Sequence, residues 1–187
     1  MTAQRDEQSR SKPARPAPWL ETVRLQMREF VPADYDDLWR LGRDPRVMKY
    51  ITGKPATLEQ THATMRRVTR YYRLYPDLGA WYTVRRDTGK FIGWFSLKYA
   101  GKSPDVEIGY RLLPDAWGQG FATEGATAMY QYGFDDLGLD RIIGVTDPGN
   151  KASQRVLMKA GLADAGWGRY YDLRLRLFAA DNPYRAQ

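Results

Sequence analysis

The stretch from Val106 to Glu124, VEIGYRLLPDAWGQGFATE, concentrates the residues whose types and spacing could do chemistry. An apolar run leads through Pro114 into Trp117, Gly118, Gln119, Gly120, Phe121, Ala122 and Thr123, where a helical pattern takes over. Two glycines one residue apart leave backbone N–H groups bare enough to approach an anion. A helix starting there adds its unsatisfied first-turn amides and the positive end of its dipole. The chemistry on offer is a cradle for a pyrophosphate. Phe121 and Ala122 stand where a nucleoside-triphosphate loop carries lysine and a hydroxyl, and no three-glycine dinucleotide fingerprint is present, so both ligand classes are disfavoured. A bare glycine pair also marks ordinary tight turns, and only its context gives it more meaning.

That context is the run before it. Asp105 to Leu113 reads as a strand interrupted by Gly109, which points to a bulge or to close approach of another backbone. A strand splayed there would present unpaired amides and carbonyls. These suit the peptide-like pantetheine arm of coenzyme A, a chain that can hydrogen-bond like an added strand. Other chemistries are withheld. The chain has no cysteine, which removes disulfides, thiolate metal ligands and a cysteine nucleophile, and one histidine, His62, which leaves no histidine cluster for a metal. No metal site is expected, and His62 reads as a solvated helix residue.

The elements that must position this segment follow from periodicity. With 187 residues, 43% of them hydrophobic and 13% aromatic, the chain can bury the core of one domain. Residues 1–18, rich in Pro, Ser, Arg and Ala, cannot bury enough apolar surface to order themselves, so a disordered extension over 1–18 and one domain over 19–187 are expected. Val23, Leu25 and Met27 alternate with Arg24, Gln26 and Arg28 and predict a strand from Val23 to Phe30. Pro32 and the acids after it open a short helix ending near Gly42 or Arg43, and a second helix is predicted from Thr57 to about Leu74. Ala80 to Arg86 and Lys90 to Tyr99 flank the turn residues Asp87, Thr88 and Gly89 as a hairpin.

After Gly120 a helix should run to Phe134 or Asp135 with Ala122, Ala126, Met129, Tyr130 and Phe134 turned inward. Arg141 to Thr146 reads as a central strand. Asn150 caps a further helix that ends before Gly161, and Tyr171, Leu173, Leu175 and Leu177 alternate as a closing strand. The order gives an α+β fold, a mixed sheet with helices around one core.

From about Val23 to Phe178 these residues resemble the GNAT N-acetyltransferase superfamily. Trp117 to Ala122 matches its pyrophosphate loop, Gln/Arg-x-x-Gly-x-Gly/Ala, except that Trp117 replaces the first residue. That departure, continued as W-G-x-G-F-A-T-E, is similar to the branch that acetylates the N-termini of ribosomal proteins. DPRVMKYI at Asp44 to Ile51, EIGY at Glu107 to Tyr110 and N-x-x-S-x-x-V-L-x-K-x-G from Asn150 to Gly161 follow at family spacing.

The resemblance implies a mostly antiparallel sheet of about six to seven strands with about four helices on its faces, and acetyl-CoA as cosubstrate. The backbone of Ile108, Gly109, Tyr110 and Leu112 would hold the pantetheine arm and acetyl carbonyl. Amides from Trp117 and Gly118 through Gln119, Gly120, Phe121 and Ala122 to Thr123 would hold the pyrophosphate, and Asn150 and Ser153 would lie near the thioester. It also implies direct attack of a neutral amine, which needs a proton acceptor, oxyanion donors and a donor to the departing thiolate. Glu107 is the leading base, with a plain surface carboxylate as the alternative. The N–H of Ile108 or Tyr110 is the oxyanion donor. Ser153 is the thiolate donor, and Asn150 is a cap, a cofactor contact or both. Tyr110, Tyr170 and Tyr171 are further proton donors or plain packing. Tyr71, Tyr72, Tyr75, Trp81 and Trp94 either line an acceptor groove or belong to the core.

The net charge of +7 raises nucleic acid as a partner, yet +2 of it lies in residues 1–18, and Arg66, Arg67, Arg70 and Arg73 read first as a solvated helix face. A peptide N-terminus or a small amine is the expected acceptor, with a silent coenzyme A sensor and a basic nucleic-acid-binding domain as alternatives. The absence of a long apolar run and of a secretory pattern points away from a membrane and toward the cytoplasm. Exposed sheet edges would suit a homodimer.

Overall fold

The structure is a computed structural model and describes residues 19–184, so the extension expected over residues 1–18 lies outside the described residues. The strands are β1 (Leu20–Glu21), β2 (Leu25–Glu29), β3 (Gly79–Arg85), β4 (Phe91–Tyr99), β5 (Val106–Leu112), β6 (Arg141–Thr146), β7 (Ala163–Tyr170) and β8 (Leu173–Asp181). The helices are α1 (Tyr35–Gly42), α2 (Pro45–Met48), α3 (Leu58–Leu74), α4 (Phe121–Gln131) and α5 (Lys151–Lys159). One sheet runs in the order β1-β2-β3-β4-β5-β6-β8-β7, antiparallel throughout except where β5 meets β6.

Alternation along the strands divides the apolar residues between two layers. Phe95, Leu97, Ile108 and Ile142 pack with Met129 and Phe134 of the α4 region and Leu157 of α5. Phe30, Tyr82 and Phe91 face the other way, against Leu38 and Leu41 of α1 and Met65 of α3. A Cβ at Gly125 would stand 2.2 Å from the Phe95 ring, so the small residue lets α4 lie close on β4. Thr57 and Gln60 close the start of α3 with reciprocal hydrogen bonds of 3.2 and 2.9 Å.

The described residues form eight strands in one sheet and five α-helices, more than the six to seven and four expected. Three elements account for this. The two-residue β1 is held by Trp19, whose amide donates to Met27 O at 2.7 Å and whose ring stacks on Trp81 at 4.2 Å. Strand β7, with Gly166 and Gly168 in a weak apolar pattern, exists because β8 pairs with it. The four-residue α2 follows Asp44, whose Oδ1 accepts from the Arg46 amide at 2.8 Å. Boundaries also differ, beginning with β2, which starts at Leu25 and leaves Val23 exposed. Tyr171 and Asp172 are not in the closing strand but form the turn between β7 and β8, with φ of 54° and 62°. Helix α4 stops at Gln131 and passes into a π-helical turn, Tyr132–Asp136.

Candidate functional site

Strand β5 leans on β4 over its whole length, in unbroken register from Gly93 opposite Leu112 to Tyr99 opposite Val106. Gly109 therefore makes no bulge there, contrary to one expectation. A Cβ would meet Ser96 Oγ at 2.8 Å, so it is a neighbouring side chain rather than a backbone that requires glycine. On its other edge β5 meets β6 only at Val106 with Ile142 and Glu107 with Ile143. Beyond Glu107 the two strands part.

The register says which groups the parting exposes. Leu113 donates to Ile92 O at 2.7 Å and Asp105 O accepts from Ala100 at 2.9 Å, so the odd-numbered residues exchange hydrogen bonds with β4. The amides and carbonyls of Ile108 and Tyr110 therefore turn toward the gap. The Leu112 carbonyl is taken by the Trp117 indole, which donates to it at 2.8 Å and fastens the glycine loop to the end of β5.

The loop delivers the start of α4 to the same place. Gly118 and Gly120 have φ of +73° and +81°, in the left-handed region that glycine enters without Cβ strain. No atom lies within 4 Å of a Cβ built at Gly118, so at this position conformation, not space, selects glycine. Gly120 is the N-cap of α4 and supplies no capping side chain, which leaves the first-turn amides available to an anion. Two arginines border the loop, each ion-paired with a carboxylate, Arg24 with Glu124 and Arg85 with Asp87. Arg24 lies 4.5 Å from the Phe121 ring centroid and Arg85 at 5.4 Å, and Arg24 Nη1 donates to Gln119 O at 2.9 Å. Glu124 holds Arg24 there. It accepts from the Thr22 hydroxyl at 2.5 Å, the Arg24 amide at 2.8 Å and Arg24 Nε at 2.6 Å.

Helix α5 closes the far side of the parting. Asn150 caps it as expected, its Oδ1 accepting from the Ser153 amide at 3.1 Å. The Tyr110 hydroxyl meets Ser153 Oγ at 2.9 Å and donates to the Ser153 carbonyl at 3.1 Å, which ties β5 to the first turn of α5. Burial pushes the Tyr110 phenol up, against the opposing effect of Ser153, so the group stays protonated and can donate.

Glu107 and Arg111 lie on the opposite face of β5, toward α1 and α3. Glu107 is only 8% exposed. Its Oε2 lies 3.6 Å from Lys98 Nζ and accepts a short hydrogen bond from the Tyr171 hydroxyl. Burial first, then the Glu107 carboxylate, pushes the Tyr171 phenol up. Arg111 covers the Trp94 ring at 5.2 Å and touches Met48 Sδ at 3.8 Å. Burial, with the like charge of Arg67 added, pushes its guanidinium down to about 10. Ser96 Oγ, fully buried behind Gly109, has no hydrogen-bond partner among the described residues.

The site residues named from sequence thus gather around one parting in the sheet, with Glu107 on the α1 and α3 side and Ser153 on the α5 side. The aromatics sort themselves. Tyr72 and Trp81 are core, Tyr71, Tyr75 and Tyr99 form a ring cluster, and Trp94 lies under Arg111. Tyr170 bonds Asp105 at 2.8 Å, and burial pushes it up to about 12. His62 is exposed and stacks on Tyr35 at 4.2 Å. Arg24, Lys98 and Arg111 were missed because each belongs to an alternating strand pattern, where a charge reads as solvent-facing. Among the described residues no cluster of metal-binding side chains occurs, and no helix is long and apolar enough to cross a membrane.

Known proteins resemble this chain in sequence and in fold. Residues 24–163 match the family described as acetyltransferase (GNAT) domain. The chain is 34% identical over 157 residues to the FsC-acetyl coenzyme A-N(2)-transacetylase of Aspergillus fumigatus, covering 78% of this chain but 65% of that protein, just under two thirds of its length. It is 32% identical over 157 residues to the uncharacterized N-acetyltransferase YoaA of Bacillus subtilis, covering 82% of this chain and 88% of that one. Its fold is similar to that of an acetyltransferase from Agrobacterium tumefaciens, with a TM-score of 0.78 at 23% identity over 91% of this chain and 98% of that one.

Proposed function

The chain belongs to the GNAT acetyltransferase family, and from that premise we propose that it moves an acetyl group from acetyl-CoA to a primary amine, a protein N-terminus or a small molecule, by direct attack. The observation that carries this reading is the parting of β5 from β6 beside the uncapped start of α4. Acetyl-CoA is the family's cosubstrate and supplies an activated thioester.

In this reading the amides from Gly118 to Thr123 hold the pyrophosphate, with the paired guanidinium groups of Arg24 and Arg85 at the edge of the loop. The gap-facing backbone of Ile108 and Tyr110 holds the peptide-like arm and the acetyl carbonyl, and one of these amides donates to the oxygen as negative charge develops on it. The amine nitrogen forms its bond to the carbonyl carbon while Glu107 takes the amine's proton. As the carbon–sulfur bond breaks, the Ser153 hydroxyl, backed by Tyr110, gives a proton to the thiolate. Asn150 fixes the turn that carries Ser153. The cytoplasmic setting, and self-association through the exposed edge strand β7, belong to the same proposal.

Two readouts on the intact protein test it. Acetyl-CoA should raise the melting temperature, and free thiol should appear only once an amine is added. Stabilisation without thiol across a broad amine panel would leave a silent coenzyme A sensor. Salt-sensitive binding to DNA or RNA with no response to coenzyme A would favour the nucleic-acid reading.

A further inference from the structure

The acceptor side of β5 carries an unanswered positive charge. Glu107 and Lys98 answer each other at 3.6 Å. Among the described residues no carboxylate forms an ion pair with Arg111 or Arg67, and the Glu107 charge reaches Arg111 only from a distance. The contacts of Arg111 are the Trp94 ring and the Met48 thioether. Arg67, on α3, is close enough to act on both Arg111 and Tyr171 through its charge. Arg111 is half-buried, so its guanidinium is partly stripped of water yet still reachable, and the planar fork of arginine matches a carboxylate with two parallel hydrogen bonds.

Position turns this match into specificity. Arg111 lies on β5 between Tyr110 and Leu112, on the same face as Glu107 two pairs along the strand, where the proposed base receives the amine's proton. Trp94 beneath it limits the freedom of the guanidinium. Resting on the acetyltransferase reading above, we propose that the acceptor is an amine whose own molecule carries a carboxylate, and that Arg111, with Arg67 beside it, binds that carboxylate while the amine faces Glu107. Polycationic amines, such as diamines and aminoglycosides, are rejected by the same pair of arginines.

Matched acceptors test this with thiol release as the readout. L-Alanine is compared with L-alaninamide, which lacks the carboxylate, and the dipeptide amide Ala-Asp-NH2 with Ala-Asn-NH2. The first pair reports a free amino acid, the second an acidic side chain next to a peptide N-terminus. A preference of about tenfold or more in kcat/KM for the carboxylate member of either pair is expected, with the effect mainly in KM. Arg111→Gln should bring that ratio to about one, and Arg111→Lys should restore part of it. Equal rates within both pairs, or a preference for 1,4-diaminobutane, overturn the proposal while the acetyltransferase reading stands. No thiol release with any amine, despite saturable acetyl-CoA binding, overturns both. Should Arg111→Gln fail to fold, the ratios in the unaltered protein and in Arg67→Gln decide the matter.

Discussion

The Tyr110 hydroxyl stands 2.9 Å from Ser153 Oγ, so strand β5 and the first turn of α5 are joined by a hydroxyl pair on one side of the parting of the sheet. Burial keeps the phenol protonated, which makes the pair a donor rather than a base. Tyr110→Phe and Ser153→Ala should each lower kcat by about 10- to 100-fold if the pair supplies the thiolate's proton. Because the two act as one unit, the double variant should lose little more than either single one. Steady-state kinetics on the three proteins checks this, and a fully additive loss would separate the two hydroxyls.

Glu107 reports differently. Glu107→Gln keeps the shape and the Tyr171 contact but removes the proton acceptor. It should reduce kcat/KM by about 100-fold, measured by steady-state thiol release. An unchanged kcat/KM would make the carboxylate a structural partner of Lys98.

Glu124 links pH to stability through the Thr22 and Arg24 clamp. Partial burial raises its pKa, but the hydrogen bonds from Thr22 and Arg24 outweigh this and leave it below the ordinary glutamate value of 4.5. A depressed folded value means the contribution is complete above 4.5 and is lost as the pH falls from there through the lowered value. Glu124→Gln should cost about 1 kcal/mol at neutral pH, since Arg24 is half exposed and water screens its share. The melting temperatures of the two proteins should converge as the pH falls below that range.

Gly118 and Gly120 separate strain from contact. Both are left-handed, so alanine at either should cost about 1 kcal/mol by chemical denaturation. At Gly120 the new Cβ also meets Arg24 Nη2 at 3.3 Å, so Gly120→Ala should disturb the clamp more than Gly118→Ala does. Equal losses would show that Arg24 simply moves aside.

Much of this was legible in the sequence, and the remainder was hidden for physical reasons. Thr57, Asn150 and the glycine loop are local signals, whose caps and left-handed angles are dictated within a few residues, and they were read at the right places. Strand β7 escaped because Ala163, Gly166 and Gly168 give no apolar period, and only pairing with β8 makes a strand of them. Tyr171 was read as a strand residue because it continues the alternation of Leu173 and Leu175. Its left-handed backbone and its reach to Glu107, 64 residues away, are tertiary facts. The splaying of β5 was anticipated from Gly109, but it arises where β6 diverges rather than from a bulge against β4.

The account depends on the parting of β5 from β6 and the bare start of α4 seating one coenzyme A thioester. Isothermal titration of acetyl-CoA into the folded protein tests that directly. One saturable site per chain is predicted, weakened about tenfold or more in Gly120→Val, where a branched side chain crowds the amides. A flat titration with the unaltered, folded protein would contradict it.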